Sequence, residues 1–341
     1  EVAGVGIAPH AAGELKVALP ASLGEADVLY VSVKNQQGEK LYTWSFGLPQ
    51  KGTAKSVAEK GSAPKIASSK GRTVVSASGL ELRFDEASGE LAGITRSGKN
   101  VALRGIKFTA ARRGNRTLDG TIDAEAPKGL NLVYKELPLD SRLRSFATRS
   151  EGGDAVVEAS YFGALQKVLW RISPNGDIRL EYEYAYDGVV ELMGVKLDYP
   201  EANVRSMRML AKGPYRVWQN RLHGTTLDVW SNDYNDPIPG ETFTYPEFKG
   251  YYSAWRWVVF ATTEGSITLR NEGSHDSYFG VFTPRDGRDE ILYQLPQTGL
   301  AVLDVIPAVR NKVNATDLIG PSSQAQHVSG LHKGALLLQV K

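Results

Sequence analysis

The sequence predicts an all-β protein of antiparallel β-sandwiches, a small partial one followed by a large one. Apolar and polar residues alternate with period two in segments such as LEYEYAY at 180–186 and SITLR at 266–270. Turn signals separate these segments, for example SPNGD at 173–177 and SGKN at 97–100. No segment of useful length has helical periodicity. Because each strand then has one apolar face, we expect the sheets to pack face to face.

The composition of residues 49–72 divides the chain. This segment is rich in Lys, Ser, Ala and Gly and poor in large apolar residues, so it predicts a linker. Residues 1–48 then form a small immunoglobulin-like β-sandwich of roughly three or four strands, a number marginal for independent stability. We expect this small sandwich either to be incomplete, with its earlier strands upstream, or to pack against the larger domain. Residues 73–341 form the large β-sandwich.

Charge and composition exclude several classes of function. The 40 basic and 38 acidic residues are mixed along the chain, which argues against nucleic acid or an anionic membrane as a partner. No apolar run approaches the length of a membrane span. We expect no signal peptide in the first residues, which have the character of mid-domain sequence. The chain has no cysteine, so no disulfide, thiolate nucleophile or cysteine metal site is expected.

Cofactor and metal signatures are also missing. The five histidines lie far apart and never at metal-binding spacing: His10, His223, His275, His327 and His332. Walker and dinucleotide fingerprints are absent, so we expect no cofactor. The chemistry left to this chain is that of carboxylates, histidine and aromatic rings.

The segment Tyr245–Trp257, YPEFKGYYSAWRW, is the most informative part of the sequence. It holds three Tyr, two Trp, a Phe, a Lys and an Arg. Aromatic faces beside charged donors suit a sugar, whose C–H faces stack on rings while its hydroxyls form hydrogen bonds. The segment therefore predicts an oligosaccharide or polysaccharide as partner.

This segment and GPYRVWQNR at 213–221 together resemble the C-terminal sandwich domain of β-galactosidase-like enzymes of glycoside hydrolase family 2. Matching positions are Gly213 and Pro214, then Trp218 for a Tyr, Asn220 for an Asp, Arg221, Pro246, Gly250, Arg256 and Trp257. Phe248, Lys249, Tyr251 and Tyr252 replace the polar residues of the family motif. Residues 28–46 are similar to the end of the preceding, fourth domain, whereas 79–101, 301–311 and 319–321 are similar to the first and last strands of the fifth.

The resemblance implies a large sandwich of the galactose-mutarotase-like supersandwich kind. It also implies a non-catalytic region of a glycan-degrading hydrolase, with an upstream catalytic barrel in the same protein as a partner, located in the periplasm or outside the cell. Retaining glycosidases need two carboxyl groups about 5 Å apart, which that family places on its barrel. Two of the four acidic residues in the aromatic loop, Asp233, Asp236, Glu241 and Glu247, could supply such a pair; the interpretation we prefer is solvated or cap-forming loop acids. We therefore predict no catalytic residue here.

The candidate carbohydrate-binding residues are Trp218, Asn220, Arg221, Asp233, Tyr234, Tyr251, Tyr252, Trp255 and His275. Trp255 and Trp257 are two apart on a predicted strand and should share a face, with Trp257 in the core and Trp255 either in the core or at the sugar. Of Tyr251 and Tyr252, one should point outward. The polar loop after Trp230 either lines a groove or packs on its own aromatics.

Two other functions stay open. A stand-alone carbohydrate-binding module needs the same aromatic and polar residues without a catalytic pair. The fold of the family domain is also similar to galactose mutarotase, a sugar epimerase, which needs a carboxylate base and a histidine acid. His275 or His223 with Glu247 or Asp233 would be the residues for that reaction.

Overall fold

A computed structural model describes residues 2, 4, 6–49, 61–114, 134–137, 141–233, 250–282, 298–308 and 325–341. The chain divides into two compact units, Glu1–Ser56 and Val57–Lys341. In the described part of the first unit, a 3-10 turn at Ala21–Glu25 precedes strands β1 (Val28–Lys34) and β2 (Lys40–Gly47).

Strands β1 and β2 form an antiparallel hairpin. Leu29, Val31 and Val33 stand opposite Phe46, Trp44 and Tyr42, so these apolar side chains share one face of the hairpin. The described residues of this unit hold these two strands, fewer than the sequence predicts.

The described part of the second unit consists of strands joined by turns. Their bounds are β3 (Lys65–Ser69), β4 (Arg72–Ala77), β5 (Leu80–Asp85), β6 (Leu91–Arg96), β7 (Lys99–Val101), β8 (Arg104–Arg113), β9 (Tyr134–Glu136), β10 (Ser141–Glu151), β11 (Asp154–Gly163), β12 (Leu165–Ile172), β13 (Ile178–Ala185), β14 (Gly188–Val190), β15 (Leu192–Asp198), β16 (Val204–Val217), β17 (Thr226–Asp233), β18 (Tyr251–Thr262), β19 (Gly265–Asn271), β20 (Tyr278–Val281), β21 (Leu300–Val305), β22 (Gln326–Val328) and β23 (Leu331–Val340). A short 3-10 turn lies at Glu201–Asn203. No helix among the described residues has the length and apolar character to cross a membrane.

Two large antiparallel sheets account for most of these strands. In the first sheet the order is β3-β4-β5-β6-β8-β15-β21-β20, with β7 paired to β6 and β9 to β8. In the second it is β10-β11-β12-β13-β23-β19-β18-β16-β17. The pair Tyr252↔Phe279 joins β18 to β20 and links the two sheets.

The main hydrophobic core lies between the sheets. Strand β13 alternates buried and half-buried residues along its whole length, as its period-two sequence predicts. Phe84 of the first sheet meets Trp170 of the second edge to face, with ring centroids 5.9 Å apart, and both rings are buried. The predicted all-β class of packed antiparallel sheets is confirmed.

The predicted linker contains a strand. Strand β3 lies within residues 49–72, yet Lys65–Ser69 pair with β4, and Ile66 packs against the core. The Lys- and Ser-rich composition concealed it, because an edge strand is held by backbone hydrogen bonds that need few apolar side chains. Residues 65–69 therefore belong to the second unit; residues 50–60 lie outside the described part of the chain.

Candidate functional site

The two motifs that carry the family resemblance meet in space. Trp218 is fully buried and packs edge-on against Tyr251, with ring centroids 5.7 Å apart. Its backbone forms a bridge with Arg221. Gly250 has φ +141°, and a Cβ there would lie 2.4 Å from the Val217 carbonyl oxygen, so only glycine allows this close approach.

Tyr251 and Tyr252 are both buried, at 1% and 0% exposure, so the expectation that one points outward is wrong. The physical reason is that β18 has protein on both faces where it begins. Tyr251 packs in a small cluster with Trp218 and Leu303, whereas Tyr252 belongs to the main core.

Trp255 and Trp257 do not share a face. Ala254 adopts a left-handed φ of 48°, and the register with β16 shifts between Ser253 and Trp257, which marks a β-bulge. Trp255 is 1% exposed and donates its indole N–H to Ser277 Oγ at 3.1 Å. Trp257 is half-buried, with the Arg208 guanidinium 5.8 Å from its ring centroid. The prediction that Trp257 is the core residue is therefore wrong, and Trp255 takes that place.

A buried polar cluster holds the start of β18. The Tyr252 hydroxyl accepts hydrogen bonds from Arg216 Nε at 3.4 Å and Asn232 Nδ2 at 3.3 Å. The Arg216 guanidinium also lies over the Tyr252 ring, 5.4 Å from its centroid. All three residues are buried, so the cluster joins the ends of three strands in a low-dielectric environment.

The other predicted residues are dispersed. Asn220 and His275 are half-buried, Arg221 is exposed, and Asp233 is the last residue of β17, opposite Ser206. Tyr234, Asp236, Glu241 and Glu247 lie outside the described residues. Sugar contact by any residue of the predicted set stays a prediction.

A second cluster, which the sequence analysis missed, joins the two sheets at their rim. Asp304 of β21 accepts a hydrogen bond from the Tyr184 hydroxyl through Oδ2, and the same oxygen lies 2.9 Å from His332 Nδ1. Tyr184 and His332 are a direct cross-strand pair of β13 and β23. Their rings stack with centroids 5.1 Å apart and 3° between the planes.

The exposure of these groups falls from Asp304 to Tyr184. The side chain of Asp304 is 36% exposed and that of His332 is 24%, whereas Tyr184 is 1% exposed. Burial raises the pKa of the Tyr184 phenol far above its ordinary value, and the Asp304 carboxylate raises it further. The phenol therefore stays protonated and donates to Asp304. Asp304 Oδ1 forms no hydrogen bond with any described residue and remains an open acceptor.

Two half-buried rings flank this cluster. Phe108 lies 5.1 Å from Tyr184 and 6.5 Å from Tyr186 between ring centroids. We call Phe108, Tyr184, Tyr186, Asp304 and His332 the rim cluster. It offers apolar ring surface and a carboxylate acceptor at one place, beside an imidazole whose Nδ1 contacts Asp304 and whose Nε2 is buried, and this combination suits sugar contact.

The sequence did contain a signal for this site. His332 lies an even number of residues from Leu336, Leu338 and Val340, which face the core, so alternation places it on the same face of β23. In the same way Asp304 lies an even number of residues from Leu300 and Val302 of β21. A polar side chain on a core-facing position needs a partner. Which strands supply that partner cannot be deduced from spacing.

Comparisons with known proteins give limited information. No protein-family description and no curated protein matches the sequence. Among solved structures, galactose 1-epimerase from Lactobacillus acidophilus NCFM is similar at a TM-score of 0.39 and 8% sequence identity, covering 92% of this chain and 98% of that one. A TM-score this low supports no inference, so the family 2 likeness stays a resemblance. Among the described residues, no group of three or more His, Cys, Asp or Glu side chains could hold a metal ion.

Proposed function

We propose that this chain is the carbohydrate-contacting, non-catalytic region of a β-galactosidase-like glycoside hydrolase, and that the rim cluster contacts the saccharide. One observation carries the proposal: a half-exposed carboxylate and imidazole are held by a buried tyrosine beside half-buried aromatic rings. No other described part of the molecule combines these groups.

The rim cluster has what a sugar needs. Asp304 Oδ1 can accept from a sugar hydroxyl, and hydrogen bonds to an ionised acceptor are stronger than neutral ones. The half-buried rings of Phe108 and Tyr186 can contact the C–H face of a sugar. Because the Tyr184 hydroxyl and His332 Nδ1 hold Oδ2, the carboxylate is oriented before a ligand binds, which lowers the entropy cost of binding.

The hydrolase context rests on the contact between the two motifs. Trp218 and Tyr251 belong to segments that the resemblance pairs, and their rings touch in the fold. We propose that an upstream barrel of the same protein carries the catalytic carboxylates, and that the protein acts on glycans in the periplasm or outside the cell. A stand-alone binding module would use the same rim cluster.

Mutarotase-like epimerisation is the second candidate, and the contact between Asp304 and His332 favours it. In mutarotation a base removes the proton of the anomeric hydroxyl while an acid protonates the ring oxygen. The ring C–O bond breaks, an aldehyde forms, and closure on its other face returns both protons. An imidazole oriented by a carboxylate can donate and accept in such steps once its free nitrogen reaches the sugar, and His332 Nε2 is buried in this structure.

The proposal is tested by titrating the full chain with β-linked galacto-oligosaccharides in a calorimeter. Asp304→Asn should weaken binding at least about tenfold, the scale of a charged hydrogen bond. Lys333→Met is the matched control, because the Lys333–Glu183 ion pair, 2.7 Å long, lies beside His332 and Tyr184 but on the opposite face of the same strands. Equal affinities for parent and Asp304→Asn would contradict the rim site.

Polarimetry of freshly dissolved α-galactose separates the second candidate from the first. An epimerase should speed the optical change, and His332→Gln should abolish that acceleration. A chain that binds the oligosaccharide but leaves the rate unchanged is a binding region alone.

A further inference from the structure

The outward face of the first sheet contains an open cleft of about 400 Å³ over strands β3 to β6. We call it the outer cleft; Lys65, Ser76, Ser78, Glu81, Thr95 and Ser97 line it. It shares no residue with the rim cluster, whose core-facing side chains lie on the other side of the sheet. Its volume falls in the range of small-ligand sites.

Four polar side chains cross the floor of the outer cleft in one row. Direct cross-strand pairs run from Lys65 to Ser76, from Ser76 to Glu81 and from Glu81 to Thr95. Neighbouring strands lie about 4.8 Å apart, so the row offers one polar group per strand at that spacing. An extended β-linked glycan advances by a similar distance per sugar unit, and it could place one unit over each strand.

The Arg83 guanidinium donates to Thr95 Oγ1, whereas most of the other groups have no partner among the described residues. Lys65 Nζ and the Glu81 carboxylate form no ion pair, and the side-chain hydroxyls of Ser76, Ser78 and Ser97 form no hydrogen bond with any described residue. Polar side chains that are aligned in a concave surface and bonded only to water can exchange that water for ligand hydroxyls at small net cost.

One end of the outer cleft is fixed by two hairpin turns. Ser78 and Gly79 turn β4 into β5, and Ser97 and Gly98 turn β6 into β7, all four with positive φ as in a type I′ turn. The Ser97 N–H donates to the Gly79 carbonyl at 2.7 Å. The Arg96 guanidinium donates to the Ser78 carbonyl at 2.8 Å. The wall is therefore held in place before a ligand binds.

The lining indicates the class of ligand. One ammonium and one carboxylate line the cleft, and the guanidinium groups of Arg83 and Arg96 bond to Thr95 and Ser78 at its edge, so the charge distribution disfavours a polycation. Hydroxyls can donate and accept, as the hydroxyls of a sugar require. Ala77 and Leu80 lie at the base of the cleft but are buried, so the cleft offers little apolar surface for C–H groups. None of the described lining residues is aromatic, so we expect weak binding, in the range of hundreds of micromolar to millimolar.

We propose that the outer cleft is a second saccharide site, which binds a neutral extended oligosaccharide across β3 to β6. This proposal goes beyond the saccharide contact proposed for the rim cluster and does not depend on that contact. On a polysaccharide substrate, two sites would hold the chain by avidity, because the second contact becomes intramolecular.

The test uses the full chain carrying Asp304→Asn, so that the rim site does not contribute. Calorimetric titration with cellotetraose should show binding. Ser76→Trp should abolish it, because the indole would fill the space above the row of polar side chains. Glu81→Gln should weaken the affinity at least about tenfold. Lys212→Met, an exposed change on the second sheet, should leave the affinity unchanged. Glu81→Gln and Lys212→Met should melt at the temperature of the Asp304→Asn chain, because both side chains are exposed.

Three results would overturn the outer-cleft proposal. They are absence of binding in the Asp304→Asn chain, equal affinity in the Ser76→Trp chain, and tighter binding of a zwitterionic dipeptide or tetragalacturonate than of cellotetraose. Failure of the rim-cluster proposal gives a different pattern. In that case cellotetraose binds the parent and the Asp304→Asn chain equally, and Ser76→Trp still removes the binding.

Discussion

Tyr184 and His332 stack face to face, 5.1 Å between ring centroids, and both contact the same oxygen of Asp304. The two residues are 148 positions apart in sequence and direct neighbours across β13 and β23. The stacked pair belongs to the second sheet and Asp304 to the first, so this contact fastens the two sheets at their rim.

Tyr184→Phe should therefore lower both stability and saccharide affinity. The change keeps the ring and its stacking but removes the hydrogen bond to Asp304. We expect a loss of about 1 to 3 kcal/mol in the free energy of unfolding, measured by urea denaturation. Tyr186→Phe is the control, since the Tyr186 hydroxyl forms no hydrogen bond with a described residue. Equal stability of the two variants would show that Asp304 does not need the phenol.

Trp255→Ala should destabilise the protein far more than Trp257→Ala. Trp255 is buried against Phe279, 4.8 Å between ring centroids, so its removal leaves a cavity that costs about 3 to 5 kcal/mol. Trp257 is half-buried beside Arg208 and should cost about 1 kcal/mol. Thermal melts of both variants decide this, and the opposite order would contradict the bulge at Ala254.

Tyr252→Phe should cost about 1 to 3 kcal/mol, because Arg216 Nε and Asn232 Nδ2 lose their shared acceptor inside the protein. The unfolding free energy of Tyr251→Phe, a tyrosine on the same strand, is compared with that of Tyr252→Phe. Chemical denaturation gives both values. If Tyr252→Phe is as stable as the parent, water or a neighbouring group satisfies the two donors.

Glu158→Gln should make the free energy of unfolding depend less on pH in the acid range. Hydrogen bonds from Lys167 and then Arg149 hold the pKa of Glu158 below its ordinary value of 4.5, since both cations favour the charged form. A lowered folded-state pKa stabilises the protein above the unfolded pKa, and this contribution is lost as the pH falls below about 4.5. The side chain is partly exposed, so the effect should be under about 1 kcal/mol and should shrink in 1 M salt. Unfolding free energies from pH 3 to 7 measure it, and an unchanged slope in Glu158→Gln would contradict the ion pairs.

The chain should not hydrolyse aryl β-galactosides above background. The sequence shows no carboxylate pair on a barrel, and such a pair is what a retaining glycosidase needs. A chromogenic assay of the full chain gives the rate, with Asp233→Asn and Glu247→Gln as variants. Turnover that either variant abolishes would place an active site in the aromatic loop.

Local patterns predicted much of this fold. The alternation in β13, with Leu180, Tyr182 and Tyr184 on one face, specifies a strand because successive side chains of a strand point to opposite sides. The Ser-Gly turns at 78–79 and 97–98 specify hairpins because their backbone needs positive φ. The all-β class and its antiparallel hairpins were therefore predictable from neighbouring residues.

The candidate sites depended on contacts that no local pattern contains. The register irregularity of β18 between Ser253 and Trp257, which includes the left-handed Ala254, leaves Trp255 in the core and Trp257 outside it, and period-two counting cannot register such an irregularity. Tyr251 and Tyr252 are both buried because other strands cover both faces of β18.

By itself the sequence determined the strands, their turns and the apolar face of each one, since these depend on residues adjacent in the chain. Only the tertiary structure decided which strands became neighbours. It placed His332 beside Tyr184 and set Asp304 against both, because pairing between distant strands is selected by the packing of the whole core rather than by any segment of it.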